Sequence, residues 1–243
     1  MATQTLLLWL QAPLQSWGHD SKFGRRDTLN FPTKSSVMGL LCCALGAGGE
    51  QRELLAEFAP LKQTVIAFVR CPPAPPDRSQ KRNREPLLCD FHMVGSGYDD
   101  QDPWATLLIP KTSTGKKAVG GGTKITYRYY LQDAYFAVLL EVPSAMASSL
   151  AHALQYPVWD LCLGRKTAVP TDLIYRGQYE NEALAQQQAL AIAQTKALVE
   201  DFWVYDGERA GEVLTIMDVP LQFGPRKRYQ DRRVTVVNAS EQT

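Results

Sequence analysis

The sequence predicts an α+β protein, with one sheet built by two strand-helix-strand passages and a long insertion between them. Apolar runs of strand length alternate with segments of helical periodicity. Residues 71–76 read Cys-Pro-Pro-Ala-Pro-Pro, and prolines that remove backbone N–H donors end regular structure between the passages. This order of elements is that of a ferredoxin-like or RNA-recognition-type sheet.

The first passage follows from apolar spacing and turn residues. Pro13 ends the opening apolar run, and Thr33 or Ser35 can cap the longer helix at its N-terminus. Gly46 lies just beyond the end of that helix, as a C-terminal glycine should. The predicted elements are a buried strand, an amphipathic helix, a short helix and a strand, at 5–11, 35–45, 51–58 and 64–71.

The insertion is rich in turn residues and in Lys and Arg, which predicts a basic excursion that projects from the sheet as a long hairpin. After it we expect strands within 126–142, a helix at 146–154, an Ala/Gln-rich helix at 181–200 with its Gln side in solvent, and strands at 213–218 and 233–237. The predicted division is a sheet-forming unit with C-terminal additions at 1–71 and 125–237, an insertion at 72–124 and a flexible tail at 238–243.

Charge is unevenly placed along a chain whose net charge is only +1. Residues 225–237 carry five basic side chains and one acidic, whereas residues 143–224 carry five basic and ten acidic. Separate basic and acidic stretches can present a basic groove to a polyanion, and scattered solvated charge is the alternative. The amino-terminal apolar run is too short to cross a bilayer and no signal-peptide pattern accompanies it, so we expect a cytoplasmic protein without a membrane contact.

Motifs for catalysis or metal binding are missing from the sequence. It has no GxSxG, HExxH or P-loop motif, and its five cysteines include no CxxC pair. We therefore expect no catalytic residue, no metal and no cofactor. His19 and His92 could still serve as general bases in a metal-independent ribonuclease, which stays open as an alternative.

Basic clusters interleaved with aromatic residues suit single-stranded RNA, because guanidinium groups bind phosphates and exposed rings stack on unpaired bases. Burial in the core is the alternative for each ring. The turn at 31–36 could bind an anion at the start of a helix, or could simply cap it. The clusters are Lys22, Arg25, Arg26 and Lys34; Lys116, Lys117, Lys124 and Arg128; Arg165 and Lys166; and Arg226, Lys227, Arg228, Arg232 and Arg233, and the rings are Trp17, Phe23, Phe31, Tyr127, Tyr129 and Tyr130.

Several segments together resemble a known family. Residues 10–18 read LQAPLQSWG, Arg26 and Thr28 follow, and residues 31–41 read FPTKSSVMGLL. This block resembles the amino-terminal signature of the CasD family of type I-E CRISPR Cascade complexes, within the RAMP-like superfamily. Further similarity is found at DFHMV (90–94), RYYL (128–131), YP (156–157) and LGRK (163–166).

The resemblance implies a ferredoxin-like or RNA-recognition-motif palm at 1–71 and 125–237 with an inserted β-hairpin thumb at 72–124. It implies a non-catalytic subunit whose palm and thumb cap the hooked 5′ handle of the CRISPR RNA. It implies contact with the backbone subunit CasC and the large subunit CasA, and with target DNA only indirectly, through the complex. Type I-C relatives cut the precursor RNA themselves, but the loop from Arg26 to Phe31 has no tyrosine, and no Tyr, Lys and His set can be assembled by motif. Matching positions would place at or near the handle Trp17, Gly18, Arg26, Thr33, Lys34, Ser35, Ser36, Arg128, Arg165 and Lys166, with His92 in or beside the thumb.

Overall fold

One large antiparallel sheet organises the chain. In a computed structural model, which describes residues 2–19, 21, 24–70, 84–94, 111–116 and 124–241, the strands follow the order β6-β1-β5-β3-β7-β9-β8. The short β2 and the strand β4 pair with β5 outside this path. The strands are β1 (Thr3–Gln15), β2 (Arg25–Arg26), β3 (Gln63–Arg70), β4 (Leu88–Val94), β5 (Lys124–Pro143), β6 (Tyr175–Tyr179), β7 (Leu198–Asp206), β8 (Glu212–Gln222) and β9 (Arg228–Asn238).

The sheet is buried on both faces, which explains the unbroken apolar run in β1. Successive side chains of a strand point to opposite faces. Leu6, Leu8 and Leu10 pack into the core on one face, and Leu7 and Trp9 into the core on the other. A strand covered on both sides reads as a continuous hydrophobic run rather than an alternating one.

Helices cover these two faces. The helices α1 (Lys34–Leu45), α2 (Arg52–Phe58) and α3 (Ser144–Gln155) contribute Val37, Phe58 and Leu150, among others, to the first core. The helix α4 (Glu182–Thr195) packs on the second core through alanines four residues apart, while Gln187 and Gln188 face solvent. The prediction that its glutamine side is solvated is confirmed.

Several elements differ from those expected. The strand β1 continues past Pro13 to Gln15, and β7 was not predicted. The predicted helix at 181–200 ends at Thr195, because Ala197 takes a positive φ of 52° and the chain turns into β7. The edge strand β6 was not predicted. The region 126–142, expected to hold separate strands, lies within the single strand β5.

The first part of β5 extends beyond the main sheet. Residues 124–130 pair with β4, from Leu88 opposite Tyr130 to Val94 opposite Lys124, and we call this pair of segments the arm. Much of the predicted thumb, including Arg78, Lys81, Arg82 and Lys117, lies outside the described residues. The boundaries of the palm, thumb and tail therefore stay predictions, and Ala239–Glu241 form a short 3-10 helix after β9.

The α+β class is confirmed, as a large antiparallel sheet with few helices. The finer ferredoxin-like or RNA-recognition-type assignment stays a prediction. Among the described helices, none is both long enough and apolar enough to traverse a lipid bilayer.

Candidate nucleic-acid interface

Three arginines predicted as site residues meet where β2, β5 and the turn at 163–168 come together; we call them the arginine cluster. Arg26 of β2 lies opposite Arg128 of β5 in a parallel pairing. Arg165, on the turn, donates from Nη2 to the backbone carbonyl oxygen of Arg26 at 3.0 Å. Side chains from segments far apart in sequence thus converge on one side of the arm's root.

Aromatic contact holds the Arg165 guanidinium in place. Its Cζ atom lies 4.6 Å from the centre of the Tyr130 ring, a cation–π distance. Burial raises the pKa of Tyr130, but hydrogen bonds with Arg165 and Thr167 and the positive charges of Arg165 and Arg128 outweigh it and lower that pKa overall. The direction of this shift indicates a positive local field, which suits a phosphate.

A glycine brings the turn close enough for this contact. Gly164 has φ +94°, and a Cβ atom there would lie 1.6 Å from the backbone oxygen of Ser16. The Ser16 amide donates to the Leu163 carbonyl at 3.1 Å, and the Ser16 hydroxyl donates to the Tyr129 carbonyl at 3.2 Å. The end of β1 therefore joins the turn to β5, and Arg165 follows directly.

The polar face of the arm orients Arg128. Its Nε donates to the Thr126 hydroxyl at 3.2 Å, and that hydroxyl donates to the His92 carbonyl at 3.2 Å. The His92 side chain is 43% exposed, and its Nδ1 lies 3.5 Å from the Asp90 carboxylate. His92 therefore lies on the arm, two residues along β4 from the partner of Arg128.

The other face of the arm is apolar and exposed. Phe91 lies opposite Tyr127, with ring centres 5.5 Å apart, and Met93 lies opposite Ile125. All four side chains are exposed, Tyr127 by 47%. This surface was not predicted as a unit, although the alternation of polar and apolar residues in both segments could have indicated it.

Arg25 also faces this region, but its charge is already paired. Its Nε donates to both carboxylate oxygens of Asp27 at 2.8 and 2.9 Å, and its guanidinium lies 4.7 Å from the centre of the Tyr129 ring. The hydrogen bond to Asp27 and the Asp27 charge raise the pKa of Arg25. A ligand phosphate would share this exposed guanidinium with Asp27.

Several predicted ring contacts are corrected by burial. Trp17 is 1% exposed and packs edge-on against Phe136, with ring centres 6.5 Å apart. Phe31 and Tyr130 are also buried. For these three rings, burial in the core is therefore the correct alternative. Trp17 cannot stack on a base and instead supports the chain beside the exposed Gly18. Phe23 and Lys22 lie outside the described residues.

Lys34 is the largest correction among the predicted site residues. It is 2% exposed, and its Nζ donates to the backbone carbonyls of Ala59, at 2.9 Å, and Leu61. Burial lowers its pKa, a shift that the charges of Asp206 and Asp218 only partly oppose. The prediction that Lys34 binds phosphate is wrong, because its ammonium group is directed into the protein.

The start of α1 already holds an anion from the chain itself. The Lys34 amide donates to Asp218 Oδ2 at 2.7 Å, and Arg232 binds the same carboxylate through Nε at 2.7 Å and Nη2 at 2.8 Å. Thr33 accepts from the Ser36 amide at 3.3 Å and so caps the helix. Simple capping is therefore the correct alternative at 31–36, while Ser35 and Ser36 stay half-buried nearby.

Within the described ranges, no group of His, Cys, Asp and Glu side chains could hold a metal ion. Of the predicted site residues, Arg26, Arg128 and Arg165 come together, with Lys166 exposed on the same turn. Lys34 is separated from them by its burial beside α2 and β3.

Comparison with known proteins shows that the chain is a CRISPR-associated protein. A family model described as CRISPR-associated protein (Cas_Cas5) matches residues 5–235, and the chain belongs to this family. The chain is similar to the CRISPR system Cascade subunit CasD of Escherichia coli (strain K12), with 32% identity over 175 residues that cover 71% of this chain and 70% of that protein.

Solved structures agree with this assignment. A chain of a CRISPR RNA-guided surveillance complex superposes with a TM-score of 0.67 and 28% identity, covering 98% of this chain and 92% of that one. A second structure, described as a Cas protein, gives a TM-score of 0.52 and 25% identity, covering 98% of this chain and 96% of the other.

Proposed function

We propose that the chain is a non-catalytic subunit of a type I-E Cascade complex and that it holds the repeat-derived 5′ handle of the CRISPR RNA. The observation that carries the proposal is the arginine cluster at the root of the arm. In such a complex, which works in the cytoplasm, the chain would contact the backbone subunit CasC and the large subunit CasA. Target DNA would be reached only through these neighbours.

The chemistry of the cluster favours an unpaired RNA strand. Guanidinium groups are planar donors that match phosphate geometry, and the three clustered arginines come from three adjoining segments of the chain. Tyr127 offers an exposed ring on the arm, and stacking a base on such a ring contributes ~1–3 kcal/mol. Because Tyr127 and Arg128 lie on opposite faces of the arm, a strand held by its phosphates at the root would pass around the edge of the arm to place a base on this ring.

The proposal is tested by the salt dependence of RNA binding. For a single strand, each lost phosphate contact should reduce the slope of log K against log salt by about 0.7. We expect Arg128→Ala to lower the slope by about this amount, weaken co-purification with CasC and leave the thermal unfolding temperature unchanged. Arg52→Ala is the matched control, because Arg52 is an exposed arginine on α2 paired with Glu50. Equal slopes for Arg128→Ala and wild type would contradict the proposal.

The same protein also tests the nuclease alternative. Incubation with labelled repeat RNA in EDTA should leave the RNA intact if the subunit only binds it. Discrete cleavage products that disappear with His92→Ala would instead identify a metal-independent endoribonuclease. His92 is half exposed on the arm, so its substitution does not disturb a buried group.

A further inference from the structure

A cleft of about 790 Å³ adjoins the arginine cluster, between α1 and the loop at 158–166. One wall is a single face of α1, formed by Ser36, Gly39, Leu40 and Cys43, at the spacing that places residues on the same side of a helix. The facing wall includes Trp159, Asp160 and Lys166. Gly164 also lines it, so the cleft and the cluster share the same turn.

Gly39 keeps the helical wall open. It lies in the interior of α1, where glycine is the least favourable residue apart from proline. A Cβ atom at Gly39 would meet no heavy atom within 4 Å, so no packing constraint in the described chain requires a glycine there. The missing side chain leaves space in the cleft.

The backbone that carries Trp159 is anchored to the end of α1, and its ring is 48% exposed. The Trp159 amide donates to the Cys43 carbonyl at 3.3 Å, and the adjacent Val158 amide donates to the Ala44 carbonyl at 3.0 Å. The tip of the indole also lies 3.3 Å from a Cβ position built on Gly48. A large ring held open to solvent beside an empty space is available for stacking.

The polar groups of the cleft suit the edge of a base. Lys166 is exposed at the end of the cleft that adjoins Arg165, where a phosphate of a bound strand would pass. The Asp160 carboxylate can only accept hydrogen bonds when ionised, so it favours a ligand edge with N–H donors. Guanine has two adjacent donors on its Watson–Crick edge, which a carboxylate can accept together.

We infer that this cleft receives one unpaired base, preferentially guanine, from the RNA strand whose phosphates the arginine cluster holds. The inference rests on the proposed function, because continuity with the cluster through Gly164, Arg165 and Lys166 favours RNA over a peptide. The base stacks on Trp159, and Asp160 accepts from its edge.

The test uses fluorescein-labelled strands of abasic ribose phosphate, either without a base or with a single guanine, adenine, cytosine or uracil at the centre. For wild type, the guanine strand should bind about 5- to 150-fold more tightly than the abasic one, the range that ~1–3 kcal/mol of stacking gives. Gly39→Leu should abolish this difference by filling the cleft, and Asp160→Ala should remove the preference for guanine. Ser148→Leu, at an exposed position of α3, controls for added bulk on a helix.

The outcomes separate this inference from the proposed function. If the abasic strand binds with the expected salt slope but Gly39→Leu retains the full base-dependent gain, the cleft is not a base site and the proposed function stands. If no strand binds to wild type in a salt-dependent way, both fail. If Gly39→Leu weakens only co-purification with CasC, the cleft binds protein and the inference is overturned.

Discussion

Replacement of Gly164 by alanine tests the link between the fold and the arginine cluster. The new Cβ atom would lie 1.6 Å from the backbone oxygen of Ser16, at a residue whose φ is +94°. Neither a side-chain rotation nor a small shift relieves a contact with backbone. The turn must move, and the hydrogen bond from the Ser16 amide to the Leu163 carbonyl must lengthen or break.

The expected loss of stability has two parts. A sparsely populated backbone conformation at a residue other than glycine costs ~1–3 kcal/mol, and overpacking typically costs a further ~1–3 kcal/mol. The free energy of unfolding should therefore fall by about 2–6 kcal/mol. Since a domain of this size loses about 2–4 °C in melting temperature per kcal/mol, the melting temperature should fall by roughly 4–24 °C. Displacement of Arg165 should also reduce the salt slope by about 0.7.

Thermal unfolding followed by circular dichroism measures the first effect, and RNA titration at several salt concentrations measures the second. Gly18→Ala is a matched control, because Gly18 follows closely on Ser16 in the chain and a Cβ atom there meets nothing within 4 Å. It should change the free energy of unfolding by less than about 0.5 kcal/mol. A Gly164→Ala protein as stable as the Gly18→Ala protein would refute the reasoning.

Two further predictions concern buried groups. Lys34→Met should lower the free energy of unfolding by about 1–3 kcal/mol, because the Ala59 and Leu61 carbonyls lose a donor. For RNA binding, its slope of log K against log salt should equal that of wild type. A reduced slope would show that Lys34 contacts the RNA. Burial lowers the pKa of Lys34 in the folded state below its ordinary 10.5, so at pH values between these two pKa values the unfolded chain binds more protons than the folded one. The free energy of unfolding of wild type, relative to that of Lys34→Met, should therefore rise with pH over that range. Burial raises the pKa of Cys42 to about 11, so iodoacetamide at mildly alkaline pH should modify the exposed Cys89 well before Cys42. Mass spectrometry of the folded protein measures the two rates of modification, and equal rates would contradict the burial of Cys42.

The elements that carry the core could be predicted because apolar spacing reports burial directly. The helix expected at 35–45 is α1 at Lys34–Leu45, capped by Thr33, one of the two candidates proposed. The strand expected at 64–71 is β3 at Gln63–Arg70. Arg26, Arg128 and Arg165 were selected by charge and by resemblance, and their convergence follows from the β2–β5 pairing, which no local pattern indicates.

What could not be predicted depends on distant partners or weak local signals. The edge strand β6 reads Tyr-Arg-Gly-Gln-Tyr, a half-buried segment without an apolar run. The strand β7 was missed because the Ala/Gln pattern of α4 seemed to continue past its true end. The chain turns at Ala197 with a positive φ, and no glycine marks that turn in the sequence. The sequence predicted the start of α1, and so Lys34 was expected to be available to a ligand. Asp218, whose carboxylate binds at that helix start, is 184 residues away in the chain, and no local pattern connects the two.

The length of β5 connects the arm directly to the centre of the main sheet. One strand runs from Lys124, at the arm, to Pro143, at the far side of the sheet, and its later part pairs with both β1 and β3. A ligand bound to the arm is therefore connected to the most deeply buried strands by one continuous strand, with no intervening loop. Because RNA bound to the folded arm stabilises the folded state, amide exchange at Phe136–Leu140 should slow when RNA is bound, although those residues are buried away from it.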